Sequence, residues 1–380
     1  MGIIKSLCLM FTILLLVFGC SNTSYKSAPE NNVYVEARKA LKFESVIKAT
    51  QESVVLLSIH PNVNPDSDPK LGGMCTGVVV DDIGHVITNF HCVYKQNYIR
   101  LYYYDKNDWR ERKVNVIGTD PLADLALIKV IGEEKQLPHL MFADNVNEIP
   151  VGTEVFAIGH PMGMVWTVTK GIVSSRERFA RHPFIKSIQT DAAINKGNSG
   201  GPLLNMKGEI IGINSLMISK SGTSAGVGLA VRGDVVKKSF ESMMNNGRVD
   251  RPAIGIMIAP LSNERGRRKV LKEFPDANPD YIPNTFGLLI RPTDDMPEGL
   301  ETHDVIVAVN GQITNNGMDF SDELIKHDIG DNVTLTIIRK RWYIKVDVPL
   351  KVLPVPVEKM YAGRQPTPSP EKREEKAPQE

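Results

Sequence analysis

Short apolar runs punctuated by turn-forming residues fill the chain from residue 53 to residue 231. A first group is SVVLLSI, TGVVVDDIGHVITN, YIRLYYY, KVNVIGTD and LALIKV, and a second is EVFAIGH, GIVSSRER, IKSIQT, GPLLN, GEIIGINS and VGLAV. Short runs rich in Val, Ile and Tyr are typical of strands, and their frequency favours an all-β barrel or sandwich over alternating strands and helices. Two sets of about six strands fit a mostly β protein built as a double β-barrel.

Other segments flank these strands. Residues 34–50 space apolar side chains among charges, which predicts a short amphipathic helix, and DVVKKSFESMMNNG predicts another. Residues 354–380 are rich in Pro, Glu and Lys with few apolar groups. Such a segment cannot bury enough surface to fold alone, so we expect a disordered tail.

The N-terminus has the pattern of a secretory signal. Within residues 1–20, Lys5 precedes an apolar run that ends in Gly19 and Cys20. The ending resembles a bacterial lipobox, which implies acylation of Cys20 and a lipoprotein anchored in the cell envelope, on the periplasmic side. The alternative is a plain signal peptide or an uncleaved anchor whose cysteine is incidental. Residues 21–33 are polar and predict a flexible stalk.

Composition adds two limits. With 380 residues the chain has room for two or three domains, and a formal charge of +1 gives no reason to expect a nucleic-acid partner. Two of the four cysteines, Cys8 and Cys20, lie in the leader, so only Cys75 and Cys92 can affect the fold.

A serine with glycines on both sides is the strongest chemical signal. In QTDAAINKGNSGGPL, Ser199 follows Gly197 and Asn198 and precedes two further glycines. Glycines can aim consecutive backbone N–H groups at one point, as an oxyanion hole requires. A Gly/Ser-rich surface loop is the alternative for this stretch alone.

Two further residues could activate that serine. His91 stands in ITNFHCV at a strand end, and Asp124 stands in DPLADLALIKV just before an alternating strand. Asp120, Asp105 and Asp108 are rival partners for the histidine, ranked lower because none precedes a clean apolar strand. Structural roles are the alternative for each: a packed histidine and a turn-capping aspartate. His160, in AIGHPMG, is interpreted as structural.

These three blocks, TNFHCV, DPLADLALIKV and QTDAAINKGNSGGPL, closely resemble the signature blocks of HtrA (Deg-type) serine proteases. The resemblance runs from about residue 34 to 353 and implies a chymotrypsin-like double β-barrel over 34–248 followed by a PDZ domain over 251–353. It also implies a homotrimer formed through the protease domains, with Tyr34 or Phe43 at contacts.

The resemblance assigns catalytic roles that agree with the chemistry. Ser199 needs an imidazole to take its proton and return it to the leaving amine, which is the role of His91, and Asp124 would orient that ring. The oxyanion hole would be formed by Gly197, Asn198 and Ser199, with Asn198 acting mainly by shaping the turn.

Cys75 and Cys92 match the cysteines that trypsin-like proteases join beside the catalytic histidine. The resemblance implies the same disulfide, which would contribute about 3 kcal/mol, and secretion permits its oxidation. Two buried free thiols are the alternative. No cysteine or histidine pair has zinc-ligand spacing, and no metal or other cofactor is expected.

The position that carries an aspartate in trypsin is Ala193, six residues before the serine. A basic side chain would find no countercharge there, so we expect cleavage after small or medium aliphatic residues. The residues expected to wall the pocket are Ala193, Ile194, Ile213, Asn214 and Ser215. The loop 216–225 and Lys196 are where the family's mobile active-site loops would lie.

The C-terminal part resembles a single PDZ domain. GLETHDVIVAVNGQIT matches its central block, and RPAIGIMI resembles the loop that captures a peptide C-terminus, at Ala253, Ile254, Gly255 and Ile256. His303 replaces the usual turn glycine, and residues 262–285 form a charged insert. A PDZ domain used only for packing or allostery is the alternative.

Together these observations predict an exported serine endopeptidase that degrades misfolded or unfolded envelope proteins and binds peptide C-termini. Two alternatives stay open. One is a chaperone-like protein that binds unfolded chains, against which the three intact catalytic residues argue. The other is a regulatory protease that cuts one substrate after its PDZ domain senses a peptide, which the short segment 62–72 fits.

Overall fold

The structure is a computed structural model, and the residues that it describes are 43–60, 73–105, 108–132, 137–161, 164, 166–179, 182–217, 226–261, 263–284 and 286–362. The chain divides into two compact units, Met1–Glu44 and Ser45–Glu380, and every interaction below lies within the second. The predicted features outside the described residues are the leader with Cys20, the stalk, Tyr34, the segment 62–72, most of the loop 216–225, and residues 363–380.

Six antiparallel strands close the first barrel in the order β1-β2-β3-β6-β5-β4. They are β1 (Val54–His60), β2 (Gly73–Val79), β3 (His85–Thr88), β4 (Tyr98–Asp105), β5 (Asp108–Asp120) and β6 (Leu125–Val130). Alternate residues along them point inward and form one core, which includes Val55, Leu57, Val86, Leu101 and Ile128. A helix over 43–50 (α1) and the short helix α2 (Phe90–Val93) flank this barrel in sequence.

The second barrel repeats this architecture in the order β10-β11-β12-β9-β8-β7. Its strands are β7 (Glu154–Gly159), β8 (Thr167–Phe179), β9 (Lys186–Thr190), β10 (Pro202–Asn205), β11 (Ile210–Met217) and β12 (Gly228–Arg232), and helix α3 (Gly233–Asn246) follows. Each apolar run of the sequence corresponds to one strand or to a pair of strands. The predicted mostly β fold with a double barrel is therefore confirmed.

The remaining strands form a C-terminal domain, where the sequence resemblance predicts a PDZ domain. Its main sheet has the order β14-β15-β16-β18-β19, with β17 paired to β16, and β13 pairs with β20. The bounds are β13 (Pro252–Ala253), β14 (Ile258–Pro260), β15 (Leu288–Ile290), β16 (Val305–Val309), β17 (Gln312–Ile313), β18 (Asn332–Arg339), β19 (Trp342–Pro349) and β20 (Lys351–Val352), with helices α4 (Glu264–Glu273) and α5 (Gly317–Leu324).

Two sequence departures from the PDZ pattern have clear structural outcomes. His303 adopts φ +72°, the left-handed conformation that favours glycine, and its N–H donates to the Ile290 carbonyl at 3.0 Å. The charged insert folds as α4, and the Asn263 side chain caps this helix by accepting from the Gly266 N–H.

The expected boundary of the disordered tail at residue 354 is wrong for its first part. Residues 357–360 form helix α6 (Val357–Met360), and the Tyr361 side chain is only 2% exposed. Composition alone did not indicate that this segment would be ordered. Its few apolar residues pack against the core of the first barrel, which supplies the apolar surface that the tail itself lacks.

Buried and half-buried ion pairs connect the double barrel with the C-terminal domain. Arg251, at the junction, donates two hydrogen bonds to the Asp120 carboxylate at 2.6 and 2.8 Å. Lys186 of β9 lies 2.8 Å from Asp322 of α5. Among the described residues, none of the helices has the length and hydrophobicity needed to traverse a bilayer.

Candidate active site

The short helix α2 carries His91, the one residue of the helix whose side chain is not buried. Phe90, Cys92 and Val93 are buried, whereas the His91 side chain is 25% exposed. Because three of the four residues are anchored in the barrel core, the backbone of His91 is held firmly while its imidazole remains accessible.

Asp124 lies against that imidazole. Its side chain is fully buried, with Oδ2 at 2.9 Å and Oδ1 at 3.1 Å from His91 Nδ1. Oδ1 also accepts from the His91 backbone N–H at 3.0 Å, and the Ser215 hydroxyl donates to Oδ2 at 2.7 Å. A carboxylate held in this way selects the tautomer with hydrogen on Nδ1, which leaves Nε2 free to accept a proton.

Two of the other aspartates considered as partners of His91 interact with different residues. Asp120 is buried and accepts from Arg251 and from the Ser239 hydroxyl, and Asp108 is exposed beside Arg110. The side chain of Asp105 lies outside the described residues. The structure therefore brings Asp124, and neither Asp120 nor Asp108, to the histidine.

The serine lies on a turn that only glycines permit. Two consecutive turns lead into and contain Ser199. The Asn198 N–H donates to the Asn195 carbonyl at 3.0 Å with Gly197 at φ +102°, and the Gly201 N–H donates to the Asn198 carbonyl at 3.0 Å with Gly200 at φ +83°. Any residue other than glycine at position 200 would place its Cβ atom against the Thr76 carbonyl oxygen. Close packing at Gly200 thus places Ser199 against the strand that enters the first barrel.

Two backbone donors at this turn are uncommitted. Within the described part of the chain, the N–H groups of Gly197 and Ser199 donate to no protein acceptor, while the Asn198 N–H is used in closing the turn. Free donors on either side of one residue are what a developing oxyanion needs.

Among the described residues, no hydrogen bond joins the Ser199 hydroxyl to the His91 ring. Such contacts commonly form only when substrate is bound.

A disulfide lies directly beside the histidine. Cys75 of β2 and Cys92 of α2 are bonded across a separation of 17 residues, with their Cα atoms 6.3 Å apart. Both sulfurs lie within 4.8 Å of a His91 ring nitrogen. Since the sulfurs are bonded to each other, they are not available as thiolate ligands, and the bond ties α2 to the adjacent barrel strand.

His160 lies behind the serine turn and is fully buried. Its backbone N–H donates to the Thr76 hydroxyl at 3.0 Å, and that hydroxyl donates to the Gly197 carbonyl at 2.6 Å. Burial lowers the pKa of His160 from 6.5 to about 4, so the ring is neutral at physiological pH. His160 therefore has a structural role behind the serine turn, as predicted from the sequence.

This burial predicts an acid-dependent loss of stability. Because the folded-state pKa of His160 is below the unfolded value, the unfolded chain binds the proton first, and the contribution is lost as pH falls from 6.5 to about 4. It amounts to roughly 3 kcal/mol. Urea unfolding at pH 7 and pH 4.5 should show a steeper loss for the wild type than for His160→Gln. Parallel pH dependences would contradict the assignment.

The expected pocket residues are mostly enclosed. Ile194 is 1% exposed within the core of the second barrel, and Ile213 and Asn214 are fully buried in β11. The Ser215 hydroxyl is directed to Asp124 rather than to a pocket. Of the five, Ala193 and Ser215 keep partly exposed side chains, and the pocket formed by these five residues stays a prediction.

The expected peptide-capturing loop of the PDZ domain is partly accessible. Ala253 and Ile254 are buried, at 8% and 2% exposed, whereas Gly255 is exposed with φ +75°. Ile256 is half-buried. Within the described residues β14, just after this loop, pairs only with β15, so its other edge is open.

One residue at the site was missed from the sequence. The Tyr361 hydroxyl lies 2.6 Å from the Pro121 carbonyl and 3.2 Å from Asp124 Oδ1. Tyr361 follows Asp124 by 237 residues, in the part of the tail expected to be disordered. The available signal was a small group of apolar and aromatic residues, Val355, Val357, Met360 and Tyr361, at the start of a segment that becomes polar after them.

Comparisons with known proteins agree with this geometry. Residues 75–213 match the trypsin-like peptidase domain, and residues 252–350 match the PDZ domain. The chain is 34% identical over 283 residues to a probable periplasmic serine endoprotease DegP-like of Brucella suis biovar 1 (strain 1330), covering 73% of this chain and 52% of that protein. It is also 34% identical to Protease Do-like 1, chloroplastic, of Arabidopsis thaliana, covering 74% and 64%. The chain thus spans about half the length of the first curated relatives that it matches.

Solved structures show the same relationship. The HtrA-type protease AlgW with a decapeptide superposes with a TM-score of 0.69 at 25% identity, covering 83% of this chain and 99% of that one. The serine endoprotease from Yersinia pestis gives a TM-score of 0.62 at 26% identity, covering 82% and 98%. With both domains matched in order, the chain carries a trypsin-like peptidase domain followed by a PDZ domain, and it is similar over most of its length to DegP-like and HtrA-type serine proteases.

Proposed function

We propose that this chain is a serine endopeptidase that cleaves unfolded or misfolded proteins of the cell envelope. The observation that carries the proposal is the fully buried Asp124 carboxylate at 2.9 Å from His91 Nδ1. Burying a carboxylate is costly unless it is paired and hydrogen-bonded, and here its partners orient one accessible imidazole. A protein that only binds unfolded chains has no need of this arrangement.

The proposed chemistry assigns one role to each of the three residues. His91 Nε2 takes the Ser199 proton as the serine oxygen attacks the scissile carbonyl, and Asp124 stabilises the imidazolium that forms. The N–H groups of Gly197 and Ser199 stabilise the oxyanion, each donor contributing on the order of 3 kcal/mol. His91 then protonates the leaving amine, and water attacks the acyl-enzyme with His91 again as base.

Specificity would come from a small, uncharged pocket. Ala193 offers no countercharge to Lys or Arg, and two other residues proposed for the pocket walls, Ile194 and Ile213, are apolar and buried. These features support cleavage after small or medium aliphatic residues.

The PDZ domain would capture peptide C-termini. Its open β14 edge suits the addition of a peptide strand, and the exposed Gly255 would let backbone N–H groups face a terminal carboxylate. The AlgW structures with a tripeptide and a decapeptide support this class of ligand.

The envelope is the proposed location. Relatives are named periplasmic, and the leader of this chain fits export with acylation at Cys20. Unchanged partitioning of Cys20→Ala into the detergent phase would rule out the lipid. A homotrimer with Tyr34 or Phe43 at its contacts is proposed from the family resemblance alone.

Incubation of unfolded casein with the full chain and with Ser199→Ala tests the function. We expect fragments with the wild type and intact casein with the variant. Equal, negligible cleavage by both would overturn the protease proposal. Cleavage that begins only after addition of a C-terminal hydrophobic peptide would favour the regulatory alternative.

A further inference from the structure

The segment that follows the PDZ domain returns to the first barrel. We call residues 354–361 the C-terminal strap. Its helix α6 packs Val357 and Met360 against the core of that barrel, and Glu358 lies 2.8 Å from Lys95. The strap therefore ends at the barrel that carries His91 and Asp124, not at the PDZ domain that it leaves.

The strap ends in an aromatic ring buried beside the triad. The Tyr361 ring meets Phe90 edge to face, with centroids 4.8 Å apart, and lies 5.5 Å from the Tyr94 ring. Phe90 immediately precedes His91 in α2. Tyr361 is thus packed onto the helix that carries the catalytic imidazole.

The hydroxyl of Tyr361 reaches the turn that carries the carboxylate. It lies 2.6 Å from the Pro121 carbonyl, which also accepts the Asp124 N–H at 3.3 Å. Asp124 Oδ1 is 3.2 Å from the same hydroxyl. Because a phenol has one hydrogen, the stronger bond goes to Pro121 and the weaker contact to Asp124.

This turn needs external support. Asp124 has φ +59°, a left-handed conformation that a residue with a side chain keeps only when its surroundings hold it. The Asn89 side chain and the Phe90 N–H hold its carbonyl, and Ser215 holds its carboxylate. Tyr361 holds the opposite end of the turn, at Pro121.

We propose that Tyr361 is a positioning residue of the triad, supplied by the strap from beyond the PDZ domain. It fixes the Pro121–Asp124 turn and, through Asp124, the orientation of the His91 imidazole. The inference rests on the proposed peptidase function, since it concerns the geometry of that reaction. Completion of the catalytic site then requires the strap, and a chain cut before Tyr361 has an incompletely supported triad.

Tyr361→Phe in the full chain tests this by removing one hydroxyl while keeping the ring. The matched control is Tyr343→Phe, which makes the same change at a side chain in β19 that is exposed. The readouts are kcat and KM on fluorescent casein, the rate of labelling by a fluorophosphonate, and the Tm. Tyr361→Ala, which also removes the ring, measures the packing contribution.

We expect Tyr361→Phe to lower kcat and the labelling rate by about 10-fold, the size of one net hydrogen bond, with KM unchanged and the Tm lowered by only about 2–4 °C. Tyr343→Phe should match the wild type. Normal kcat and labelling in Tyr361→Phe, or a loss that follows only the fall in Tm across the two Tyr361 variants, would overturn the positioning role. A wild type that resists the phosphonate as Ser199→Ala does would overturn the proposed function as well.

Discussion

Replacing Asp124 by asparagine is expected to lower kcat by about 10⁴-fold while leaving the fold intact, by comparison with the same change in other triads. The amide keeps the shape of the carboxylate but cannot stabilise an imidazolium. It also favours the wrong tautomer of His91, with hydrogen on Nε2, because its NH₂ group would face Nδ1. Nε2 then cannot accept the Ser199 proton. The measurement is kcat on fluorescent casein.

Asp108→Asn is the matched control for this substitution. Asp108 is exposed, and its carboxylate lies 3.5 Å from the Arg110 guanidinium. It has no role in the proposed reaction. Its kcat should equal that of the wild type. A loss of less than 10-fold in Asp124→Asn, with its Tm preserved, would contradict the role given to this carboxylate.

Replacing Arg251 by methionine is expected to lower the free energy of unfolding by about 3–5 kcal/mol, the usual cost of leaving one partner of a buried ion pair alone. The side chains of Arg251 and Asp120 are 7% and 1% exposed. Without the guanidinium, the donors left to Asp120 among the described residues are the Ser239 hydroxyl and the Ala123 N–H. Urea unfolding at pH 7 measures the effect.

Arg248→Met is the control for that measurement, because Arg248 is 71% exposed and lies 3.0 Å from Asp250. Exposed pairs of this kind contribute about 0–1 kcal/mol. Equal destabilisation by the two substitutions would show that burial does not determine the strength of the Arg251–Asp120 pair.

Patterns that depend on near neighbours in sequence were readable. The alternation of apolar side chains in β1 to β12 follows from the pleat of a strand, so the barrels could be predicted from local runs. Ser199 was recognisable because its turn requires glycine at 197 and 200, where positive φ and close packing exclude other residues. The replacement of a glycine by His303 likewise marked a left-handed position.

Features that depend on tertiary contacts were not readable. Tyr361 reaches Asp124 only because the strap folds back after the PDZ domain, and the composition of the strap favours disorder. The sequence predicts Ile194 as a pocket wall, and the structure packs its side chain in the core of the second barrel, a contact that the sequence did not indicate. The direction of a side chain outside regular structure depends on the packing around it, which spacing alone does not specify.

The central claim is that Ser199 is a nucleophile activated by His91 and Asp124. The most direct test is reaction of the full chain with a fluorophosphonate, followed by peptide mapping of the adduct by mass spectrometry. We expect one adduct, on Ser199. It should be absent from Ser199→Ala and should form far more slowly in Asp124→Asn. An unlabelled wild type, or labelling of Ser199 at the same rate in Asp124→Asn, would contradict it.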